Sequence, residues 1–505
     1  MKKNIYLLTL TAILVSSAWS CKDALDIAPR QSIDAATALT TKDGINASVI
    51  SVYSRLKNLR VYGRDLVALP EALADNGFAT NKSGRLLPEA QNVVNAHFTL
   101  GLWQTAYSGI NQANLILEAL PSTTDPSITS ADKTSWEGQL YFLRALNHFT
   151  LVEAFAYIPG AVVASQNRGG IPIMLKSVGT SDDALALLPS RAPIDDVYAA
   201  IVSDFEAANQ RLTNSTLPNL ASKVAAQAML SRVNLYRKNY TEAKRWADSA
   251  ISSAGTRLST ASNYVSNFRA ATNPETLFQV FFATNGENLG VNESLQTSFT
   301  TLQGVGSTVT GGFGDLVPTI SLMNALGITL TGGNTNAVFT GGNATIATRS
   351  ADVRNLLFEV GTTGRGLSKV ECTKFIGKSG FINLDNIPVI RIAEVYLNRA
   401  EAMATPGSPV FNETAALADL NRIATNRGLT AFALTGTTLY EEILNQRRIE
   451  LAFEGHRLWD LKRLGRDIIK TPHYVNLNFT DTRILAPIPQ REVDGNKNLA
   501  QNPGY

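Results

Sequence analysis

One stretch constrains the fold of this 505-residue chain more than any other: SKVAAQAMLSRVNLYRKNYTEAKRWADSAISSAG, residues 222–255. Leu230 stands where a helix pair wants a large residue, Tyr240 where it wants an aromatic at the turn, and Ala243, Ala247 and Ala250 where it wants small side chains. Small residues at these spacings let two antiparallel helices approach closely. The stretch therefore predicts a helix, a tight turn and a second helix packed back on the first.

The spacing is that of a tetratricopeptide-type unit, and a comparable pair recurs over Val389–Gly428, with a longer turn between VIRIAEVYLNRAEAMATPG and ETAALADLNRIATNRG. Apolar residues also recur at helical spacing over Ile45–Leu56, Leu102–Leu120, Ser135–Ala156 and Pro193–Leu212. Asp195 and Asp196 suit the positive start of the last of these. The fold class expected is mostly α, a tetratricopeptide-like superhelix of helical pairs with long loop-rich insertions and minor β structure. Such solenoids usually bind rather than catalyse. Alanine-rich antiparallel helices without true repeat register remain the alternative.

The N-terminus reads as an export signal: a basic start at Lys2 and Lys3, an apolar run from Ile5 to Val15, and small residues before Cys21. The apolar run is too short to persist as a membrane span. A signal ending directly before cysteine resembles that of a bacterial lipoprotein, in which Cys21 would be lipidated, although the leucine usual three positions upstream is missing and simple secretion is the alternative. Cys372 then has no partner, which removes any disulfide framework or cysteine-based metal site; a small buried apolar role suits it. Net charge is +3 and charged residues are 17%, a balance that gives nucleic-acid binding no clustered basic face.

Residues from Phe281 to Thr348 differ in composition, dense in Gly, Thr, Asn and Ser and punctuated by Phe281, Phe282, Phe313 and Phe339. Turn formers at this density predict long loops with short strands, and such loops are usually functional or disordered. Catalytic signatures are missing. The four histidines, at 97, 148, 456 and 473, have no zinc-ligand spacing, and His148 sits in an apolar helix as a core histidine would. FIGKSG lacks the first glycine of a phosphate loop, TGGFGDL does not complete a dinucleotide fingerprint, and no nucleophile elbow occurs. No metal or cofactor is expected.

The segment NQRRIELAFEGHRLWDLKRLGRD, Asn445–Asp467, crowds charge beside apolar residues. Thr438 and Glu441 form a capping-box pattern before a helix that runs to Gly455. If that helix continues, Arg447, Glu450, Glu454 and Arg457 fall along the edge of its buried stripe. Carboxylates flanked by guanidiniums are held ionised, whereas a general acid needs its pKa raised. These four residues are therefore expected to form a structural ion-pair seam.

The ordered segments FLRALNHFTLVEAFAYIP, SRAPIDDVYAAIVSDFEAA, AAQAMLSRVNLY, IPVIRIAEVYLNRAEAMA, ALADLNRIATNRGL, RRIELAFEGHRLWDLKRLGR and the ending LAPIPQREVDGNKNLAQNPGY resemble the SusD/RagB family of Bacteroidetes surface lipoproteins. The resemblance spans nearly the whole chain after Cys21. It implies a signal peptide at 1–20 and one SusD-like domain at 21–505. Within the domain it implies a helical frame near 40–280 and 385–470, a loop-rich ligand region near 281–384, and a tail at 471–505. It implies an outer-membrane, lipid-anchored protein that captures oligosaccharides without catalysis for a SusC-like TonB-dependent transporter. A peptide-binding branch and a surface glycosidase are the alternatives. KDALD after Cys21 looks like the family's surface-export signal, while residues 160–170 form an insertion relative to the usual pattern. Sugar recognition calls for aromatic faces plus planar amide or guanidinium donors. In the loops these are Phe78, Asn81 and Arg85, and Phe282, Asn285 and Phe313; Trp103, Trp246 and Trp459 fit the core instead.

Overall fold

The helical patterns become eleven principal helices in a computed structural model that describes residues 38–331 and 342–505. The export signal, Cys21 and Phe339 lie outside the described residues. In chain order the helices are α1 Lys42–Leu56, α2 Asp65–Leu73, α3 Leu102–Ala119, α4 Ser130–Phe155, α5 Ile194–Arg211, α6 Lys223–Tyr236, α7 Tyr240–Ala254, α8 Ile392–Ala404, α9 Glu413–Asn426, α10 Gly436–Glu450 and α11 Arg457–Leu464. Each start carries a local reason where the sequence supplies one. The side chains of Thr41, Ser222, Asn239 and Asn412 accept from the first turns of α1, α6, α7 and α9, and Thr129 with Asp132 forms a capping box that starts α4 five residues before its apolar pattern.

The order of packing is that of a superhelix: α1 lies on α3, α3 on α4, α4 on α5, α5 on α6, α6 on α7, α7 on α8, and α8 on α9. The α6–α7 pair meets through Leu230, Ala243, Ala247 and Ala250, all fully buried, as the spacing requires. Two-stranded antiparallel ribbons account for the strands among the described residues: β1 Gly77–Ala79 with β3 Leu316–Pro318, β2 Thr276–Val280 with β8 Ile387–Arg391, β4 Ile328–Leu330 with β5 Ile346–Arg349, and β6 Phe358–Val360 with β7 Val370–Cys372. Val389, assigned to a helix by its pattern, belongs to β8.

Two expectations for the C-terminal stretch are overturned. No side-chain cap starts α10, which begins at Gly436, so Thr438 is already inside it and its hydroxyl donates to the Thr435 carbonyl. The helix also stops at Glu450. Phe453 and Gly455 take φ of 63° and 85°, and a side chain on Gly455 would meet the Leu66 carbonyl at 2.3 Å. Close packing against α2 thus forces a glycine and breaks the helix, placing Glu454 in a turn and Arg457 at the start of α11.

Helix α4 explains several distant motifs at once. The last four carbonyls of any helix lack intrahelical partners, and here all four are met. Ala156 N–H donates to Val152, the Lys462 ammonium to Glu153 at 2.6 Å, Ala486 N–H to Ala154, and Arg191 and Asn502 side chains both to Phe155. The ending QNPGY is thereby tied to the middle of the frame. Arg191 also donates to the carbonyls of Gly169 and Gly170, and Lys238 to that of Gly160, so the 160–170 insertion is pinned at both ends.

Candidate functional site

The charges of Asn445–Asp467 form a buried ionic lattice rather than a seam along one helix. Arg447, Glu450, Glu454 and Arg457 are not partners of one another; each reaches another element. Glu450 accepts from Arg391 at 3.0 Å and Arg427 at 2.9 Å, with Arg354 at 3.4 Å. Glu454 accepts from Arg391 and from Lys374, both at 2.7 Å, and Glu275 and Asp352 complete this group of four cations and four carboxylates. Arg447 belongs to a second group, pairing with Asp460 at 2.9 Å and Glu394 at 3.4 Å, joined by Arg232, Arg463 and Glu401. Arg457 pairs with Asp75 at 2.6 Å.

Burial alone would push the Glu450 carboxyl up, but the Arg427 and Arg391 guanidiniums outweigh it and hold it well below the usual range. The same contest holds Asp460 at about 2 through Arg447 and Arg463, and Asp75 at about 2 through Arg457 and Arg448. Groups held this firmly ionised are not general acids. His148 is the satisfied core histidine its setting suggested: Nδ1 donates to the Arg144 carbonyl and Nε2 accepts from Met174 N–H. Trp103, Trp246 and Trp459 are buried, and burial pushes the Cys372 thiol up to about 12.

The loops converge elsewhere. Register pairs Phe78 of β1 with Val317 of β3, so the segment after β1 runs beside the segment before β3. Thr80 N–H and hydroxyl donate to the carbonyls of Asp315 and Gly314, and Ser83 donates to the Asp315 carboxylate at 2.6 Å. Two sequence-distant candidates therefore meet: the Arg85 guanidinium lies 4.4 Å from the centre of the Phe313 ring, and its Nε donates to Asp315 at 3.0 Å. A third participant was not foreseen. Arg365, at the tip of the β6–β7 hairpin, places its guanidinium 3.7 Å from the same ring and donates from Nε to the Gly312 carbonyl.

Glu371 of β7 holds this loop from below. Wholly buried, it accepts from Thr300 hydroxyl and from Thr301 N–H and hydroxyl. Gly314 has φ of 60°, and a side chain there would meet the Glu371 carboxylate at 2.7 Å, so glycine is required both by backbone and by space. The N–H groups of Phe313 and Gly314 both donate to the Thr297 carbonyl.

The remaining candidates separate. Asn81 is exposed, with φ of 59°, on the same loop as Arg85. Phe78 is half-buried and stacks on Tyr474 at 5.6 Å and 17°, with His473 at 4.9 Å. Sequence reasoning missed this aromatic cluster because His473 and Tyr474 lie in the tail, with no local pattern to mark them. Phe282 is only 6% exposed and its ring packs in the core; Asn285 is exposed and accepts from Asn288. These two begin a segment that borders a polar hollow of about 630 Å³ with Lys57, Asn58, Gln104 and Glu287 in its wall. The segment then reaches the first site, where Arg85 donates to the Asn292 carbonyl. Among the described residues there is no cluster of three or more His, Cys, Asp or Glu that could hold a metal, and no helix long and apolar enough to cross a membrane.

Two family models match in chain order, "Starch-binding associating with outer membrane" over residues 25–235 and "SusD family" over residues 358–505. The chain belongs to the SusD/RagB family. Along its whole length this SusD-like chain is 24% identical to SusD-like protein P38 of Formosa agariphila, covering 100% of this chain and 99% of that one. A SusD superfamily protein of Bacteroides thetaiotaomicron superposes with a TM-score of 0.76 at 25% identity, over 91% of this chain and 99% of that one. A laminarin-binding SusD-like protein shares the fold, with a TM-score of 0.65 at 20% identity over 92% and 100% of the two chains. The mostly helical fold anticipated from the helix pairs, and implied to be SusD-like by the family resemblance, is the one observed.

Proposed function

We propose that this SusD-like protein captures oligosaccharides at the cell surface, at the Arg85–Phe313–Arg365 cluster, and delivers them without chemistry to a SusC-like TonB-dependent transporter, while a lipid on Cys21 anchors it to the outer membrane. The observation that carries the reading is the convergence of two guanidiniums on one half-buried ring, built from three loops brought together by the β1–β3 and β6–β7 pairings. Guanidinium forks donate several hydrogen bonds in a fixed plane, which suits the vicinal hydroxyls of a sugar. The stacked Phe78 and Tyr474 rings offer an apolar surface beside the same strand. The family descriptions and the laminarin-binding relative support a saccharide ligand.

Against catalysis stands the state of the carboxylates. Asp315 is occupied by Ser83 and Arg85, Glu371 is buried under the loop, and Glu153, which burial pushes up to about 8, is 6% exposed inside α4. Titration calorimetry against oligosaccharide and peptide panels tests the ligand class. Binding of an oligosaccharide that Phe313→Ala weakens supports the reading, and binding of peptides alone would overturn it. Recovery of an outer-membrane barrel with the affinity-tagged full-length protein tests the partner.

A further inference from the structure

We infer that the captured saccharide is acidic, carrying carboxylate or sulfate groups; this rests on the capture reading above and names the ligand class. The guanidiniums of Arg85 and Arg365 lie over the Phe313 ring, and the Lys82 ammonium stands at Glu371, which holds the same loop. Facing them are two carboxylates, Asp315 and Glu371. Asp315 is bound to Arg85 at 3.0 Å, and Glu371 lies 3.5 Å from the Lys82 ammonium. Burial and the neighbouring Lys82 ammonium both push Lys369 below the ordinary lysine range, as expected where like charges crowd.

The adjoining charges do not cancel this surplus. Arg60 and Arg64 are balanced by Asp65 and Glu293, at 3.2, 2.8 and 2.9 Å, and burial raises the pKa of the nearby Glu89 carboxyl. Arg365 is exposed, and among the described residues it makes no ion pair; its one hydrogen bond is from Nε to the Gly312 carbonyl. Arg85 in turn keeps a buried Nη2 without a hydrogen-bond partner. A neutral sugar would leave this excess positive charge uncompensated, whereas an anion accepts bidentate, charge-assisted hydrogen bonds from a guanidinium.

Calorimetry on the folded protein would compare an oligogalacturonate and a sulfated galactan oligosaccharide with a neutral β-glucan oligosaccharide of equal length. One acidic probe is expected to bind at least about tenfold more tightly than the neutral one at low salt, a gap equivalent to one charge-assisted contact. The gap should narrow as salt rises, and Arg365→Gln should weaken acidic binding more than neutral binding at an unchanged melting temperature. Neutral binding as tight as acidic, or acidic binding indifferent to both salt and Arg365→Gln, would overturn the inference while leaving saccharide capture standing. Failure of every saccharide to bind would remove the capture reading and this inference with it.

Discussion

Glu450 shows at the scale of one residue what the sequence allowed and what it concealed. Its structural role followed from charge beside an apolar stripe, but its partners Arg391, Arg427 and Arg354 come from β8, the end of α9 and the segment before β6. Such pairings depend on the tertiary fold, so no local spacing could announce them. Removing one member of a buried lattice strands the others, at about 3–5 kcal/mol. Glu450→Gln should lower the melting temperature sharply, whereas Glu441→Gln, which breaks an exposed pair with Arg466, should change stability by less than about 1 kcal/mol. Equal effects from the two variants in thermal denaturation would contradict the buried-lattice account.

Among the elements, the helices were the most legible part, because small and apolar residues at helical spacing state their own packing. Two boundaries in α10 were not, since Gly455 is set by the approach of Leu66 and the start at Gly436 uses no side-chain cap. The loop site was half legible. Arg85 and Phe313 were visible as residue types in turn-rich segments, while Arg365 gave no pattern and joins them only through the β6–β7 hairpin. Gly314 is the hinge of that arrangement: Gly314→Ala must either move Glu371 or shift the Phe313 loop. A loss of about 1–3 kcal/mol, from strained backbone, is expected on chemical denaturation, together with weaker ligand binding. Unchanged stability and binding would show that the loop does not depend on this contact.

For the molecule as a whole, the tail and the lattice set the response to truncation and to acid. Asn502→Ala strips one donor from the Phe155 carbonyl at the end of α4 and another from Ala486, and should cost about 1–3 kcal/mol. The acid response follows from Asp75 and Asp460, whose carboxyls lie at about 2 against an ordinary value of 3.8. Depressed folded pKa values contribute stability above pH 3.8, and this is lost as pH falls toward 2. Carboxyls that burial raises, such as Asp315 and Glu371, contribute in the opposite sense. Circular dichroism should therefore show stability falling steeply below about pH 4; constant stability down to pH 2 would contradict the ionised lattice.

The central claim is that the Phe313 cluster captures a saccharide while the charged C-terminal stretch holds the frame. Calorimetry of the intact protein and of Phe313→Ala against the tightest oligosaccharide of the panel tests it most directly. The account predicts that the variant keeps the wild-type melting temperature within about 2 °C, as a half-buried loop side chain allows, and binds at least about tenfold more weakly, the loss of one good contact. Undiminished affinity in a folded Phe313→Ala protein would contradict it.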